Sequence, residues 1–298
     1  MLDLHRLILL REIKLCGSMT AAARKLSYSH SAISQQMALL EKEAGVALLE
    51  RVGRNVKLTS AGVELVRNTE SILCAMERAE SDLASAHKRP DGVVTLAVFA
   101  TIARAVVPAA LASLAQRYPG LDVRLRLHDP AEAAIRLVSR QVDAVLSDAY
   151  PGTEGAPSST IHATLIGDDP IRCYFPDPGM DGDFDRIRDV RWVMEPSPST
   201  ATQWALRVCR ERGFEPIVAH ESSDLLFHLR MVESGLAAAF LPDIVMREAG
   251  TALVPSASMP VDQHRSILFL TRAGAEHRPQ LAALRDAVAT AFTTMDHR

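Results

Sequence analysis

Apolar residues recur at helical spacing from the start of the chain, at Leu4, Leu7, Ile8 and Leu15, and the rhythm breaks at Gly17-Ser18. Ser18 is a good helix N-cap, and the alanine-rich run from Thr20 to Leu26 reads as a second, short helix. Ser27-Tyr28-Ser29 is a tight polar break. From Ser29 or His30 a third helix places Ala32, Ile33, Met37 and Leu40 on its inner face and ends at Gly45. Two helices joined by so short a turn form a helix-turn-helix unit, and Ala22 and Ala23 are small enough for them to approach closely. Gly53-Arg54-Asn55 then marks the turn of a short basic hairpin, a wing, with Arg51 and Lys57 on either side.

Thr59 is placed to cap a long helix, because residues 59–87 contain no proline and only Gly62 among glycines. At 1.5 Å per residue the helix is about 43 Å long. Leu58, Leu65, Ile72, Ala79 and Ala86 recur every seven residues, with Gly62, Thr69, Met76 and Leu83 at the intervening offset. Such a pattern predicts a seam between helices. The stripe either packs on its own domain or pairs with a second copy, and its length and narrowness favour the second copy.

Residues 88–92, Lys-Arg-Pro-Asp-Gly, read as a hinge, after which the pattern changes. Strands are expected at Val93–Phe99, Leu121–Leu127 and Asp143–Leu146, with helices at Ile102–Tyr118 and Pro130–Arg140 between them. That alternation is a parallel α/β unit. A second round follows: strands at Ile171–Phe175, Trp192–Met194, Ile217–Ala219 and Ala237–Leu241, and helices at Thr200–Arg212 and Asp224–Glu233. A strand at Arg265–Leu270 and a helix at His277–Thr294 complete the chain. Two α/β halves imply two lobes, and open α/β sheets bind ligands beyond the carboxyl ends of their strands.

Charge sharpens this division. Residues 1–60 hold nine Lys/Arg against five Asp/Glu, a net of +4, whereas the remainder of this chain of net charge −3 carries −7. A basic first domain on an acidic body suits a DNA binder whose bulk lies off the DNA. No run of uncharged apolar residues is long enough to span a membrane, and the N-terminus lacks the pattern of a signal peptide, so a cytoplasmic location is expected. Cys16, Cys74, Cys173 and Cys209 form no metal or redox motif. No nucleophile elbow, phosphate loop, dinucleotide fingerprint or metal spacing is present, so neither an enzyme nor a cofactor is expected. A solute-binding protein would have no use for the helix-turn-helix.

The outer face of the third helix offers His30, Ser31, Ser34 and Gln35, short or planar polar groups suited to base edges, where an ordinary solvated face would carry Lys and Glu. Ser29 can combine capping with phosphate contact, and Arg51, Arg54 and Lys57 are phosphate candidates. In the larger domain, helix N-termini facing a cleft offer free N–H groups to a ligand. Thr101, Ser147, Ser199, Thr200, Ser223 and Phe240 are the candidates to line it. Glu195 lies beside the expected cleft; if it lines the pocket it would oppose a carboxylate, so the charge of the ligand stays open.

The ordered set Gly17-Ser18-Met19-Thr20-Ala21-Ala22-Ala23, Leu26, Ser29 to Met37, Leu40-Glu41, Gly45, Leu48 to Arg51, Leu58-Thr59 and Gly62 resembles the LysR-type transcriptional regulators. Weaker similarity continues through Tyr118-Pro119-Gly120, Asp143-Ala144-Val145, Gly235 and Leu241-Pro242. The resemblance implies a winged helix-turn-helix over 1–58, a dimerisation helix over 59–87, a hinge over 88–92 and an effector domain over 93–298. That domain would be two-lobed and periplasmic-binding-protein-like (type 2), with lobe I at about 93–165 and 267–298 and lobe II at about 166–266. It further implies double-stranded DNA, a small-molecule effector, a homodimer or homotetramer and RNA polymerase as partners, and an effector-binding hydroxyl at Thr101. His30 stands where the family usually has Gln, which bears on the bases read. Met19 and Leu49 replace Phe, and Ala237 replaces Gly.

Overall fold

The computed structural model describes residues 1–52, 55–85, 89–153 and 159–296. The N-terminal region comprises α1 (Leu4–Cys16), α2 (Met19–Lys25), α3 (His30–Ala44) and a hairpin of β1 (Leu49–Val52) and β2 (Asn55–Leu58). Local chemistry sets these ends. Asp3, Ser18 and Ser29 each accept a backbone N–H as N-caps, and Gly17 and Gly45 end α1 and α3 in the left-handed conformation. Leu10, Ala22, Ile33, Leu40 and Leu48 pack into one core beneath the helices.

The long helix α4 (Ser60–Ser85) starts on the hairpin. Thr59 Oγ1 donates to the Ala47 carbonyl at 2.9 Å and accepts from the Gly62 N–H at 3.0 Å. A β-carbon on Gly62 would lie 2.2 Å from the Leu48 carbonyl oxygen, so only glycine allows this approach.

The larger domain comprises β3 (Gly92–Val98), α5 (Ala100–Ala105), α6 (Val107–Arg117), β4 (Leu121–Leu127), α7 (Pro130–Val138), β5 (Ala144–Ala149), β6 (Ile161–Tyr174), α8 (Phe184–Asp189), β7 (Arg191–Met194), α9 (Thr200–Glu211), β8 (Ile217–Glu221), α10 (Leu225–Glu233), β9 (Ala239–Pro242), α11 (Asp243–Ala249), β10 (Gln263–Arg272) and α12 (Pro279–Asp296). Six strands form one sheet in the order β4-β3-β5-β10-β6-β9, and β7 and β8 pair separately. The parallel unit β4-β3-β5 stands as expected, while β10 runs antiparallel to both β5 and β6. One core collects Leu96, Ile102, Leu146, Phe269 and Leu284; another surrounds Trp192 and Trp204.

Several expectations need correction. The single helix expected at 102–118 is two, because Pro108 in the first turn of α6 has no N–H to continue the ladder. The strand expected at 171–175 begins ten residues earlier, hidden by the mixed polarity of 162–170 and by Pro170. The expected lobe boundaries at 165/166 and 266/267 are not among these: they lie on β6 and β10, paired strands that continue through both positions. The β6–β10 register shifts there, between Ile267 and Leu268.

The seam expected on α4 splits in two. Gly62 and Thr69 are buried, but they belong to a stripe with Val66, Leu73, Glu77 and Ser81 that faces the helix's own chain. Ile72, Met76 and Leu83 are 43%, 39% and 70% exposed, and Ala79 is exposed with them. Ala86 and the start of the expected hinge, Lys88, lie outside the described residues.

Glu77 is the centre of the own-chain face. Its carboxylate, 2% exposed, meets Arg272 Nε at 2.7 Å, Arg140 Nη1 at 2.8 Å and Arg278 Nη2 at 2.8 Å. These arginines come from β10, the segment after α7 and the segment before α12. Gly274 allows the contact: its φ is +95°, and a β-carbon there would stand 2.5 Å from the Cys74 carbonyl oxygen. Higher on the same side, Arg11 of α1 is buried, bonds Glu70 at 2.6 Å and donates to the Val138 carbonyl at 2.7 Å.

Removing a buried acid from among three arginines leaves uncompensated charge, at a cost of about 3–5 kcal/mol. Glu77→Ala is therefore expected to destabilise the chain by that amount in urea unfolding and to release α4. Hydrogen exchange should show faster exchange across residues 70–81. A loss below about 1 kcal/mol would mean that the cluster does not hold the helix.

Candidate functional site

Two surfaces gather the residues singled out from the sequence. On the first, α3 rests its Ile33, Met37 and Leu40 side on the N-terminal core and leaves His30, Ser31, Ser34, Gln35 and Ala38 exposed. His30, Ser34 and Ala38, like Ser31 and Gln35, follow i, i+4 spacing, so that four polar side chains form one stripe ending at Ala38. Ser29 Oγ accepts the Ala32 N–H at 3.1 Å and lies 3.0 Å from Ser31 Oγ, so it is a true cap and is exposed as well.

In the hairpin Arg51 stands opposite Val56, and Lys57 opposite Glu50. Opposed residues share a face, so Arg51 and Lys57 point to opposite sides of the ribbon. Arg51 shares its side with Leu49, Val56 and Leu58, which pack on the core; Lys57 looks outward, and both basic residues are exposed. The two therefore do not form one patch. Arg54 lies outside the described residues. Sequence reasoning missed Glu41, whose Oε1 accepts the N–H groups of Leu48 at 2.8 Å and Leu49 at 3.0 Å and pins the hairpin to α3. That role needs the Gly45 turn to bring residue 48 back onto the helix.

The second surface is a cleft. Ser147 at the end of β5, Ser199 and Thr200 at the start of α9, and Ser223 before α10 line one cavity of about 440 Å³. Asp129, Asp148 and Glu195 share its wall. Thr101 is not there. It is 2% exposed and lines an adjoining recess of about 50 Å³, next to Phe99 and Arg265. Phe240 lines a third space of about 30 Å³, room for one water, where it stacks on Trp192 with centroids 5.2 Å apart and meets Trp204 edge-on at 5.0 Å. Glu195 borders all three spaces. Ser199 caps α9 by accepting the Thr202 N–H. Leu241 is fully buried in the core. His128 bonds Glu132 and lines none of the three.

The electrostatics turn on Arg265, which the sequence placed at the head of a strand and gave no role. It is 1% exposed. Its Nε and Nη2 donate to Asp169 Oδ2 at 3.0 and 2.9 Å, and its Nη1 to Asp148 Oδ2 at 3.2 Å. Burial works against its charge, but the facing Tyr150, Asp169 and Asp148 outweigh it and raise its pKa. Burial raises the Asp148 carboxyl, with Arg265 opposing. The half-buried Glu195 is pushed up to about 7, first by desolvation and then by the Asp148 charge, with Arg265 pulling the other way.

Comparison with known proteins gives one consistent result. Residues 4–63 match the model of "Bacterial regulatory helix-turn-helix protein, lysR family", and residues 87–293 that of "LysR substrate binding domain". The chain is 30% identical over 241 residues to the HTH-type transcriptional regulator CbbR of Xanthobacter flavus, covering 76% of this chain and 68% of CbbR. It is 26% identical to the transcriptional dual regulator GltC of Bacillus subtilis (strain 168), covering 73% of each. Full-length CbnR complexed with its target DNA matches in fold with a TM-score of 0.51 at 21% identity, over 97% of this chain and 99% of CbnR. A hydrogen-peroxide-bound OxyR mutant from Corynebacterium glutamicum matches with a TM-score of 0.57 at 21% identity, over 98% and 93%. Among the described residues no helix is long and apolar enough to cross a membrane.

The raised Glu195 pKa fixes the sign of a pH effect. Between about pH 4.5 and 7 the folded chain holds a proton that the unfolded chain has released, so stability falls as pH rises through this window. The loss is about 2–3 kcal/mol by pH 8. Glu195→Gln should remove it, leaving the variant more stable than wild type at pH 8 and equal to it near pH 4. Urea unfolding at both pH values checks this, and a difference that does not change with pH would contradict it.

Proposed function

The chain belongs to the LysR family of bacterial helix-turn-helix regulators, and on that premise we propose how its own residues regulate transcription. Ser31, Ser34 and Gln35 of α3 read base edges in the major groove, with His30 at the leading end of the same stripe. Ser29, Arg51 and Lys57 contact phosphates, the latter two from opposite sides of the hairpin, and Arg54 belongs to the same wing. The observation that carries this is the continuous exposed stripe of short polar groups on α3, held rigidly by the core beneath.

The cleft between the lobes holds a small-molecule effector, with Ser147, Ser199, Thr200 and Ser223 as its polar lining. The 440 Å³ cavity is within the usual range for small ligands, which supports this reading. Thr101 and Phe240 bind the effector from the adjoining recesses. The β6–β10 irregularity beside Gly167 and Ile267 serves as the hinge, which keeps lobe I at about 93–165 and 267–298 and lobe II at about 166–266. The ligand acts by binding two lobe arrangements unequally, which alters the geometry of bound DNA and the access of RNA polymerase. The protein is a cytoplasmic regulator and not an enzyme.

The exposed side of α4, with Ile72, Met76, Ala79 and Leu83, pairs with a second copy, giving a homodimer and, by further association, a homotetramer. Ile72→Asp combined with Leu83→Asp should yield monomers in sedimentation equilibrium without loss of helical content. Unchanged mass would place the interface elsewhere.

Nuclease protection upstream of the protein's own gene tests DNA reading. Wild type should protect segments spaced by about ten base pairs. Gln35→Ala should weaken specific binding by about 1–3 kcal/mol, roughly 5- to 150-fold, and relax the preference at one base pair. Equal protection by both proteins would remove Gln35 from base readout.

A further inference from the structure

The cleft wall carries acid without free base. Asp129, Asp148 and Glu195 border the 440 Å³ cavity, and among the described residues Arg265 is the one basic group lining it or the Thr101 recess. Every arm of that guanidinium is engaged, two on Asp169 and one on Asp148, and its carbon lies 5.3 Å from the centre of the Phe99 ring. A ligand carboxylate would find no free cation to pair with and would face three acidic groups, one of them already paired with Arg265, in a partly desolvated space where an unpaired charge is costly. Among the described residues neither Glu195 nor Asp129 forms an ion pair.

Helix N-termini favour anions, but at α7 and α9, which border the main cavity, that pull is small or already answered, and the start of α5, which carries no side-chain cap, opens only into the recess of about 50 Å³. Asp129, the N-cap residue of α7, sets a full negative charge at that end and makes no side-chain cap. At α9 the Ser199 hydroxyl takes the Thr202 N–H, which leaves the amides of Thr200 and Ala201 for one acceptor on a ligand. A terminus is worth about half a charge against the whole charge of a carboxylate.

We infer that the molecule bound between the lobes carries a cationic nitrogen, an ammonium or guanidinium group, and that Glu195 is its ion-pair partner with Asp129 beside it. The inference rests on the reading of the cleft as the effector site. Glu195 fits the role by position, because it borders the main cavity and both recesses and so meets a ligand wherever it settles. A cation also relieves the repulsion between Glu195 and Asp148 and lets Glu195 ionise. The charged and titratable groups facing Glu195 are Asp148 on β5, Tyr150 just after it, Asp129 before α7, Arg265 on β10 and His228 on α10, whose pKa burial lowers. With Glu195 near 7 before binding, affinity for a permanent cation should fall about tenfold from pH 8 to pH 6.

The experiment is thermal shift and calorimetry on the full chain with agmatine, 1,5-diaminopentane and L-lysine, set against glutarate and benzoate. It is run on wild type, Glu195→Gln and Thr200→Trp, the last placing an indole in the main cavity from an exposed position. At least one amine is expected to stabilise wild type saturably at pH 8, to bind at least tenfold more weakly to Glu195→Gln and at pH 6, and to be lost in Thr200→Trp. Three results overturn the charge assignment: no saturable amine effect up to about 10 mM, a concentration reaching contacts of only a few kcal/mol; amine binding that Glu195→Gln leaves unchanged; or a carboxylate that binds as well or better in Glu195→Gln and is lost in Thr200→Trp. The last of these leaves the cleft standing as the effector site. Binding of either class that Thr200→Trp does not affect overturns the cleft reading itself.

Discussion

The arrangement of the molecule depends on one buried carboxylate. Glu77 sits on a helix that begins in the DNA-binding domain, and its three arginine partners belong to segments far apart in the effector domain. Taking these charges out of water is unfavourable, and only full pairing offsets it. The cluster is therefore intolerant of half-measures: α4 is seated with all three contacts made, or it leaves exposed charge behind. Arg272 adds the Val142 carbonyl at 2.7 Å, and Arg278 adds Glu80. Apolar packing alone would let the helix slide along its axis, whereas these directional bonds fix both its register and its rotation.

That rotation explains what became of the heptad pattern. Residues at both offsets read as one seam because sequence spacing records only that a face is apolar, and not what covers it. The face containing Val66, Leu73 and Ser81 is covered by the same chain and has a glutamate at its middle, which no hydrophobic count would select. Ile72, Met76, Ala79 and Leu83 lie on the other side. The caps and breaks of the N-terminal helices were legible because each is a local event: Ser18, Ser29, Gly17 and Gly45 act within four residues. Glu41 was not, since its two N–H partners arrive through a turn, and neither was Arg265, whose partners come from two other strands. Thr101 lies between these cases: its place after a strand and near a helix start was legible, but not that Phe99 and Arg265 would join it in a recess that shares Asp129, Asp148, Glu195 and Ser223 with the main cavity.

The cleft follows from the sheet. The carboxyl ends of β5 and β7 meet the starts of α7, α9 and α10, and hydroxyls and acids gather there because strand-to-helix turns favour such residues. Arg265 reaches this point from the antiparallel β10 and ties β5 to β6 through Asp148 and Asp169. Its charge is used in holding the sheet together, and the remaining acids of the wall are left without an internal counterion.

Helix α7 begins at this wall, with Asp129 and Pro130 against the cavity, and ends where the Val138 carbonyl receives Arg11 of the DNA-binding domain. Nine residues make a rod about 13 Å long, too short to bend appreciably. The two ends cannot be positioned independently. A cleft molecule that displaced one end would strain the hydrogen bond at the other, and any state of the DNA-binding domain that moved Arg11 would in turn bear on the cleft. Thermodynamic reciprocity then requires the two effects to be equal: the factor by which the small molecule changes affinity for DNA is the factor by which DNA changes affinity for the small molecule.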